Sequence, residues 1–154
     1  MNEYRYVENG FLEQECDKIK HAFEDFKLVC GNGIKKNQEN DALLAMLVAK
    51  HTKSNAIVIV NNSQTVGIGA GQMSRVDSAR IAIIKAQEAN LELKNSVAAS
   101  DAFLPFSDTV ELLANAGVKT LIQPGGSIND EEIIKKAREL GINMYFTGIR
   151  HFKH

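Results

Sequence analysis

Residues 56–60, Ala-Ile-Val-Ile-Val, form a continuous apolar and largely β-branched run bounded by Asn61-Asn62-Ser63. This pattern predicts a buried strand that ends in a turn, with residues 64–68 returning as its hairpin partner. After Ser74 the period changes: Val76, Ala79, Ile83, Ala86 and Ala89 keep helical spacing, Ser74 is a suitable N-cap, and the helix is expected to run to near Leu93. Upstream, residues 5–7 and 11–14 flank Asn9-Gly10 and read as two short edge strands. Ile19, Ala22, Phe23 and Phe26 predict a helix over 17–26, followed by a strand at 27–30 that Gly31-Asn-Gly33 breaks. Asn37 or Asn40 caps a helix through about Lys50. Its Ala42, Leu43, Leu44, Met46, Leu47 and Val48 are so apolar that much of its circumference must be covered.

Downstream, 96–100 predicts a strand, 109–116 a helix closed by Gly117, and 118–122 a buried strand. Asn129 or Asp130 caps a further helix whose Ile133, Ile134, Ala137 and Leu140 face inward; Gly141 ends it, and 143–146 is the last strand. Strands and helices alternate with connections short enough for right-handed crossovers. The expected fold is therefore a single α/β domain over 1–154, a three-layer α/β/α sandwich with a mixed sheet.

The chemistry-bearing stretch follows the central hairpin. In Gly67-Ile-Gly-Ala-Gly-Gln-Met-Ser-Arg75, Gly67, Gly69 and Gly71 lack the Cβ that would keep a ligand or another backbone away. The helix N-terminus after Ser74 and the charge of Arg75 suit an anion. The same glycines also serve simply to pack strand against helix. No third glycine or distant acidic residue completes a dinucleotide fingerprint, and no Gly-Lys-Ser/Thr follows to make a P-loop. Asn55, Gln72 and Arg75 are expected on one rim, able to hold a polar planar ligand.

Pro105 holds the Asp101-Ala-Phe-Leu-Pro-Phe-Ser-Asp108 stretch as a loop carrying Phe103 and Phe106 beside two carboxylates, a cradle for a heteroaromatic ring. Asp108 also reads as an N-cap, with Glu111 completing a capping box. Pro124-Gly-Gly-Ser127 before a helix either binds an anion or turns the chain. Lys50-His51 reads as an acid-base pair or as charge that complements the dipole and caps the carbonyls of a helix C-terminus. The tail, Arg150-His-Phe-Lys-His154, either frays or joins the strand ends where α/β sheets collect ligands.

Composition adds few exclusions. With 154 residues, 44% hydrophobic, 24% charged and a net charge of -1, the chain reads as a soluble domain with no reason to bind nucleic acid or an acidic membrane surface. The charged start, Met1-Asn-Glu-Tyr-Arg, does not read as a signal peptide and no long apolar span occurs, so a cytoplasmic location is expected. Cys16 and Cys30 are expected as unpaired thiols, and their spacing makes no zinc site.

Five motifs, in order over nearly the whole chain, resemble the transformylase domain of the bifunctional AICAR transformylase/IMP cyclohydrolase family. They are Lys53-Ser-Asn-Ala-Ile-Val58, Gly67-Ile-Gly-Ala-Gly-Gln-Met-Ser-Arg75, Ser100-Asp-Ala-Phe-Leu-Pro-Phe-Ser-Asp108, Gln123-Pro-Gly-Gly-Ser-Ile128 and Phe146-Thr-Gly-Ile-Arg-His-Phe-Lys-His154. The resemblance implies a cytidine-deaminase-like fold and places this chain as the second half of a transformylase domain of purine biosynthesis. It also implies formyl transfer from N10-formyltetrahydrofolate, as cosubstrate, to the 5-amino group of AICAR. By the same resemblance Asn55 donates to the tetrahedral oxyanion or orients the formyl group, and His154 helps orient the carboxamide and amine. Arg75, Phe103, Asp108 and Arg150 hold the substrate, and Pro105 and Phe106 line the folate side. Gly67, Gly69, Gly71 and Gln72 form the glycine loop. No zinc is implied; a monovalent cation, held mostly by backbone oxygens, is.

The family's catalytic Lys-His pair lies in a Phe-Lys-His-Val-Ser-Pro-Ala-Gly-like motif of the first half, which is not found here, and Lys50-His51 matches another segment. The expected partners are therefore AICAR, folate, and either a second copy of this chain in a homo-oligomer or a first-half chain supplying the Lys-His pair. Two further functions fit the residues: a non-catalytic binding module for a purine ribonucleotide intermediate or folate, and a homodimer active through His51 or His154.

Overall fold

The computed structural model describes all 154 residues, Met1–His154. Its strands are β1 (Asn2–Val7), β2 (Gly10–Glu15), β3 (Lys27–Cys30), β4 (Ile57–Asn61), β5 (Gln64–Gly69), β6 (Val97–Ser100), β7 (Thr120–Gln123) and β8 (Asn143–Phe146). Its helices are α1 (Lys36–His51), α2 (Arg75–Glu88), α3 (Asp108–Ala116) and α4 (Asp130–Glu139).

Six strands form one sheet in the order β3-β8-β7-β6-β4-β5. The pairs β6/β7 and β7/β8 are parallel, whereas β3/β8, β4/β5 and β4/β6 are antiparallel, so the sheet is mixed. The two-residue period of β4 divides the core. Ile57 and Ile59 join the helix α2–α4 side with Ala82, Leu113 and Ile133, while Val58 and Val60 join the α1 side with Ala42, Ala45 and Met46. Both faces are thus covered, which explains the uninterrupted apolar run. The result is the expected three-layer α/β/α sandwich.

Several boundaries differ from expectation. The segment 17–26 is not a helix; it contains only a 3-10 turn at Phe23–Asp25. There the Asp17 carboxylate accepts from Ile19 N–H and the Asp25 carboxylate from Ala22 N–H, local bonds that compete with helical ones. The apolar spacing is instead used by Phe23, which packs 5.7 Å from Phe26 and 5.4 Å from Tyr145, ring to ring. Helix α1 starts at Lys36, with Lys35 rather than an asparagine at the cap and no side-chain cap bond. Helix α2 stops at Glu88, short of Leu93, where Asn90 turns to φ 54° and Leu91 N–H bonds back to Ala86.

Helix α3 takes in Asp108 as its first residue, so no Asp108–Glu111 capping box forms; Glu111 instead meets Lys136 of α4 at 3.0 Å. The 124–127 stretch turns the chain around its own anion: the Asp130 carboxylate accepts from the N–H groups of Gly126 (2.7 Å) and Ser127 (3.1 Å).

Two surfaces stand outside the sandwich. The β1–β2 ribbon is a separate two-stranded sheet with every residue exposed, not an edge of the main sheet. The outer face of α1 is also uncovered, with Leu47 54% exposed, so this chain supplies only part of the cover expected over much of its circumference.

Candidate functional site

Asp101, 1% exposed at the end of β6, is the hub of the site. Its carboxylate accepts from the Ser54 hydroxyl, from Ala56 N–H at 3.2 Å and from Arg75 Nη2 at 3.3 Å, and its carbonyl accepts from His151 N–H at 2.8 Å. A buried carboxylate requires such a set of donors. Arg75 opens α2 directly after Ser74, whose hydroxyl oxygen accepts from Asp77 N–H as the N-cap. Its side chain is 12% exposed, and its Nε is buried without a hydrogen-bond partner.

Asn55 is fixed from two sides: its Nδ2 donates to the Gln72 carbonyl at 2.8 Å, and its own carbonyl accepts from the Ser78 hydroxyl at 2.7 Å. A cleft of about 270 Å³ opens here, lined by Asn55, Met73, Arg75, Pro105, Phe106 and Asp108 among others. Five residues singled out from the sequence, drawn from three separated segments, thus face one space. Pro105 is anchored by Asn129 Nδ2, which donates to its carbonyl at 2.6 Å; Phe106 projects with 63% of its surface exposed. The Asp108 carboxylate accepts from Thr109 N–H at 2.7 Å. Chemically the cleft lining combines amide and guanidinium donors with an aromatic and a proline surface.

The other candidates lie elsewhere. Phe103 is half-buried and does not line the cleft. A Cβ on Gly67 would fall 2.2 Å from the Ala82 carbonyl oxygen and one on Gly69 1.8 Å from that of Ser78. Of the two uses open to these glycines, close approach of a ligand or packing of strand against helix, Gly67 and Gly69 serve the second: they admit the backbone of α2. Gly71 turns at φ 66° against the Lys53 stem, and the Gln72 amide donates to the Ala70 carbonyl, so Gln72 reaches the cleft wall only through its backbone.

The tail is pinned rather than frayed. Ser54 N–H donates to the Lys153 carbonyl at 2.8 Å and Lys153 N–H to the Ser54 hydroxyl at 3.2 Å. Arg150 and His154 stay exposed outside the cleft, both against Phe152: the guanidinium carbon is 5.3 Å from its ring centre, and the His154 ring is stacked on it at 5.7 Å and 15°.

A second polar cluster had no signal in the sequence. His151, 1% exposed, bonds through Nδ1 to the Asp17 carboxylate and lies with Nε2 2.7 Å from Nε2 of His21; Lys50 Nζ is 3.3 Å from Asp17. Burial raises the Asp17 carboxyl, but its bonds from His151 and Ile19 and the nearby charges outweigh this and hold it below its ordinary value. Burial, and then the charges of His151 and Lys50, lower the His21 imidazole. These residues are 134 positions apart in the chain for Asp17 and His151, so no local spacing announces them. No group of three or more His, Cys, Asp or Glu side chains is placed to hold a metal ion, and no helix is long and apolar enough to cross a membrane.

Compared with known proteins, residues 1–85 match the family model described as AICARFT/IMPCHase bienzyme. Among solved structures, Acinetobacter baumannii RibD is similar with a TM-score of 0.53 at 16% identity, over 71% of this chain and 35% of that one. A diaminohydroxyphosphoribosylaminopyrimidine deaminase/5-amino-6-(5-phosphoribosylamino)uracil reductase from Thermotoga maritima gives 0.49 at 18% identity over 70% and 36%. The dCMP deaminase from cyanophage S-TIM5 gives 0.49 at 13% over 72% and 98%. This chain spans about a third of the first two proteins. The fold is cytidine-deaminase-like.

Proposed function

The chain belongs to the AICARFT/IMPCHase bienzyme family, a transformylase family of purine biosynthesis, and from that premise we propose that it is the AICAR- and folate-binding half of a formyltransferase. In this reading, formyl passes from N10-formyltetrahydrofolate to the 5-amino group of AICAR. The observation that carries the reading is the convergence of Asn55, Arg75, Pro105, Phe106 and Asp108 on one cleft.

The AICAR amine is a weak nucleophile because its ring carries an electron-withdrawing carboxamide. Its attack on the formyl carbon creates a tetrahedral oxyanion and leaves a proton to be removed. The free N–H of Asn55 and the unpartnered donors of Arg75 are positioned to meet anionic or carbonyl oxygens, and their anchoring by Gln72, Ser78 and Asp101 removes reorganisation cost. Phe106 and Pro105 offer a surface to a pteridine ring.

At about 270 Å³ the cleft falls below the ~300–1,000 Å³ of typical ligand pockets, so it cannot enclose AICAR and a folate together. Exposed Met73, Phe106 and Ile128 supply apolar surface for a partner chain to complete it. In this reading that partner is a first-half transformylase chain, which also brings the Lys-His pair; Arg150 and His154, exposed on the pinned tail, extend the AICAR side beyond the cleft.

Calorimetric titration with AICAR, with and without a folate analogue and in the presence of a first-half protein, tests the proposal. Saturable binding is expected. Arg150→Ala should weaken AICAR by about 10-fold, the loss of one charged hydrogen bond, and Phe106→Ala should weaken the folate analogue by a similar factor. Absence of binding and of formyl transfer in the mixture, with every component folded, rejects it.

A further inference from the structure

Helix α1 and the irregular segment before β3 border an open cavity of about 780 Å³, apart from the cleft; α1 contributes Leu43, Leu44, Leu47 and Lys50 to its lining, and the segment contributes Ile19 and His21. Leu47 and Ile19 are 54% and 42% exposed within it, so the wall is apolar and open. At its polar end three groups stand in series: the Asp17 carboxylate on Nδ1 of His151, and Nε2 of His151 2.7 Å from Nε2 of His21.

The chemistry of these contacts fixes the direction of the series. An ionised carboxylate only accepts, so Nδ1 of His151 must carry the proton. With the rings neutral, Nε2 of His151 is then the acceptor and Nε2 of His21 the donor. Nδ1 of His21 is left with a lone pair. That nitrogen has no partner in the protein, and it is not among the buried atoms without one, so it is open to solvent.

The geometry points to a second site in this chain, in which His21, oriented by the Asp17–His151 pair, accepts the proton of an aromatic O–H or N–H acid seated against Leu43, Leu44 and Leu47. The ligand class follows from acidity and charge. An imidazole does not deprotonate an aliphatic alcohol, whereas phenols and heteroaromatic N–H acids lie within its range. In the step the ligand's O–H or N–H bond breaks, its electron pair stays on the ligand, and the proton joins Nδ1 of His21. Lys18, Lys20 and Lys50 line the cavity and favour the resulting anion, while Asp17, through His151, and Asp25 favour the imidazolium. His51 is the remaining titratable group on the wall. Burial, then the charges of His151 and Lys50, hold His21 below its ordinary value, so its ring is neutral in the free chain and its protonation by the ligand depends on the anion left beside it. His21 is the residue that touches the ligand; Asp17 and His151 position it. This site stands independently of the formyl-transfer reading, since it uses neither Asn55 nor Arg75.

The test uses the full chain and p-nitrophenol, whose phenolate is yellow. Wild type is expected to bind it saturably and to raise its phenolate fraction several-fold below its solution midpoint. His21→Gln, with an unchanged far-UV circular dichroism spectrum, should abolish the extra phenolate, and Asp17→Asn should reduce it. Imidazole nitrogen chemical shifts of the unmutated chain give a second measurement: His21 should carry its proton on Nε2 and His151 on Nδ1. Extra phenolate surviving in His21→Gln, a rise in Asp17→Asn as Lys50 is released, absence of saturable binding, or a proton on Nδ1 of neutral His21 would each overturn the assignment.

Discussion

Asp101 bears more of the site than its place in a loop motif suggests. It takes hydrogen bonds from Ser54, Ala56 and Arg75 while 1% exposed, so removing its carboxylate leaves a nearly buried guanidinium and a buried N–H without an acceptor. Asp101→Ala is expected to cost about 3–5 kcal/mol, read from the urea midpoint, because the penalty of an unpaired buried charge exceeds the value of the pair itself. A cost below ~1 kcal/mol would show that water or a rearranged Arg75 replaces the contact. Among the candidate residues Asn55, Arg75, Pro105, Phe106 and Asp108 were legible because each lies in a dense local motif. His21 and His151 were not, since their pairing exists only after Asp17 and the tail are brought to the same place.

At the level of elements, β5 and α2 show how closely a strand and a helix approach when glycines separate them. Gly67→Ala and Gly69→Ala both force a Cβ into helix backbone, at 2.2 and 1.8 Å, and backbone cannot swing aside as a side chain does. Each is expected to destabilise the fold by about 1–3 kcal/mol or more, with Gly69→Ala the worse, measured as thermal midpoints. The reverse order would indicate that α2 pivots rather than lifts. The β1–β2 ribbon is the opposite case. Its residues are all exposed, so deleting 1–15 is expected to leave the unfolding midpoint of the sandwich within a few degrees of the intact chain, since a lone hairpin is marginally stable in water. A large drop would reveal that the ribbon braces the tail or Asp17.

The molecule as a whole should lose stability toward acid in two steps. His21 is held below its ordinary value of 6.5, chiefly by burial, so the folded state resists its protonation. Its contribution is complete above 6.5 and declines as the pH falls through the lowered folded value. Asp17, held below 3.8, contributes fully above 3.8 and loses that contribution as the pH falls through its own folded value. Urea midpoints measured across this range are expected to fall first below about pH 6.5 and further below about pH 3.8, and His21→Gln should flatten only the first limb. An unchanged first limb in that variant would assign it to another group.

The order of elements, the two-sided core and the family were already written in the sequence. The run at 56–60, the change to helical spacing after Ser74 and the glycine, loop and tail motifs are local signals, and local signals survive without coordinates. Three things depended on the folded chain. Whether 17–26 became a helix turned on Phe23 finding Tyr145 and on Asp17 and Asp25 capturing nearby N–H groups. Whether Gly67 and Gly69 faced a ligand or a helix turned on which side of β5 received α2. The Asp17–His151–His21 series required the last strand to deliver the tail beside the start of the chain. In each case the deciding contact joins residues that spacing cannot relate, because it is formed by packing rather than by period.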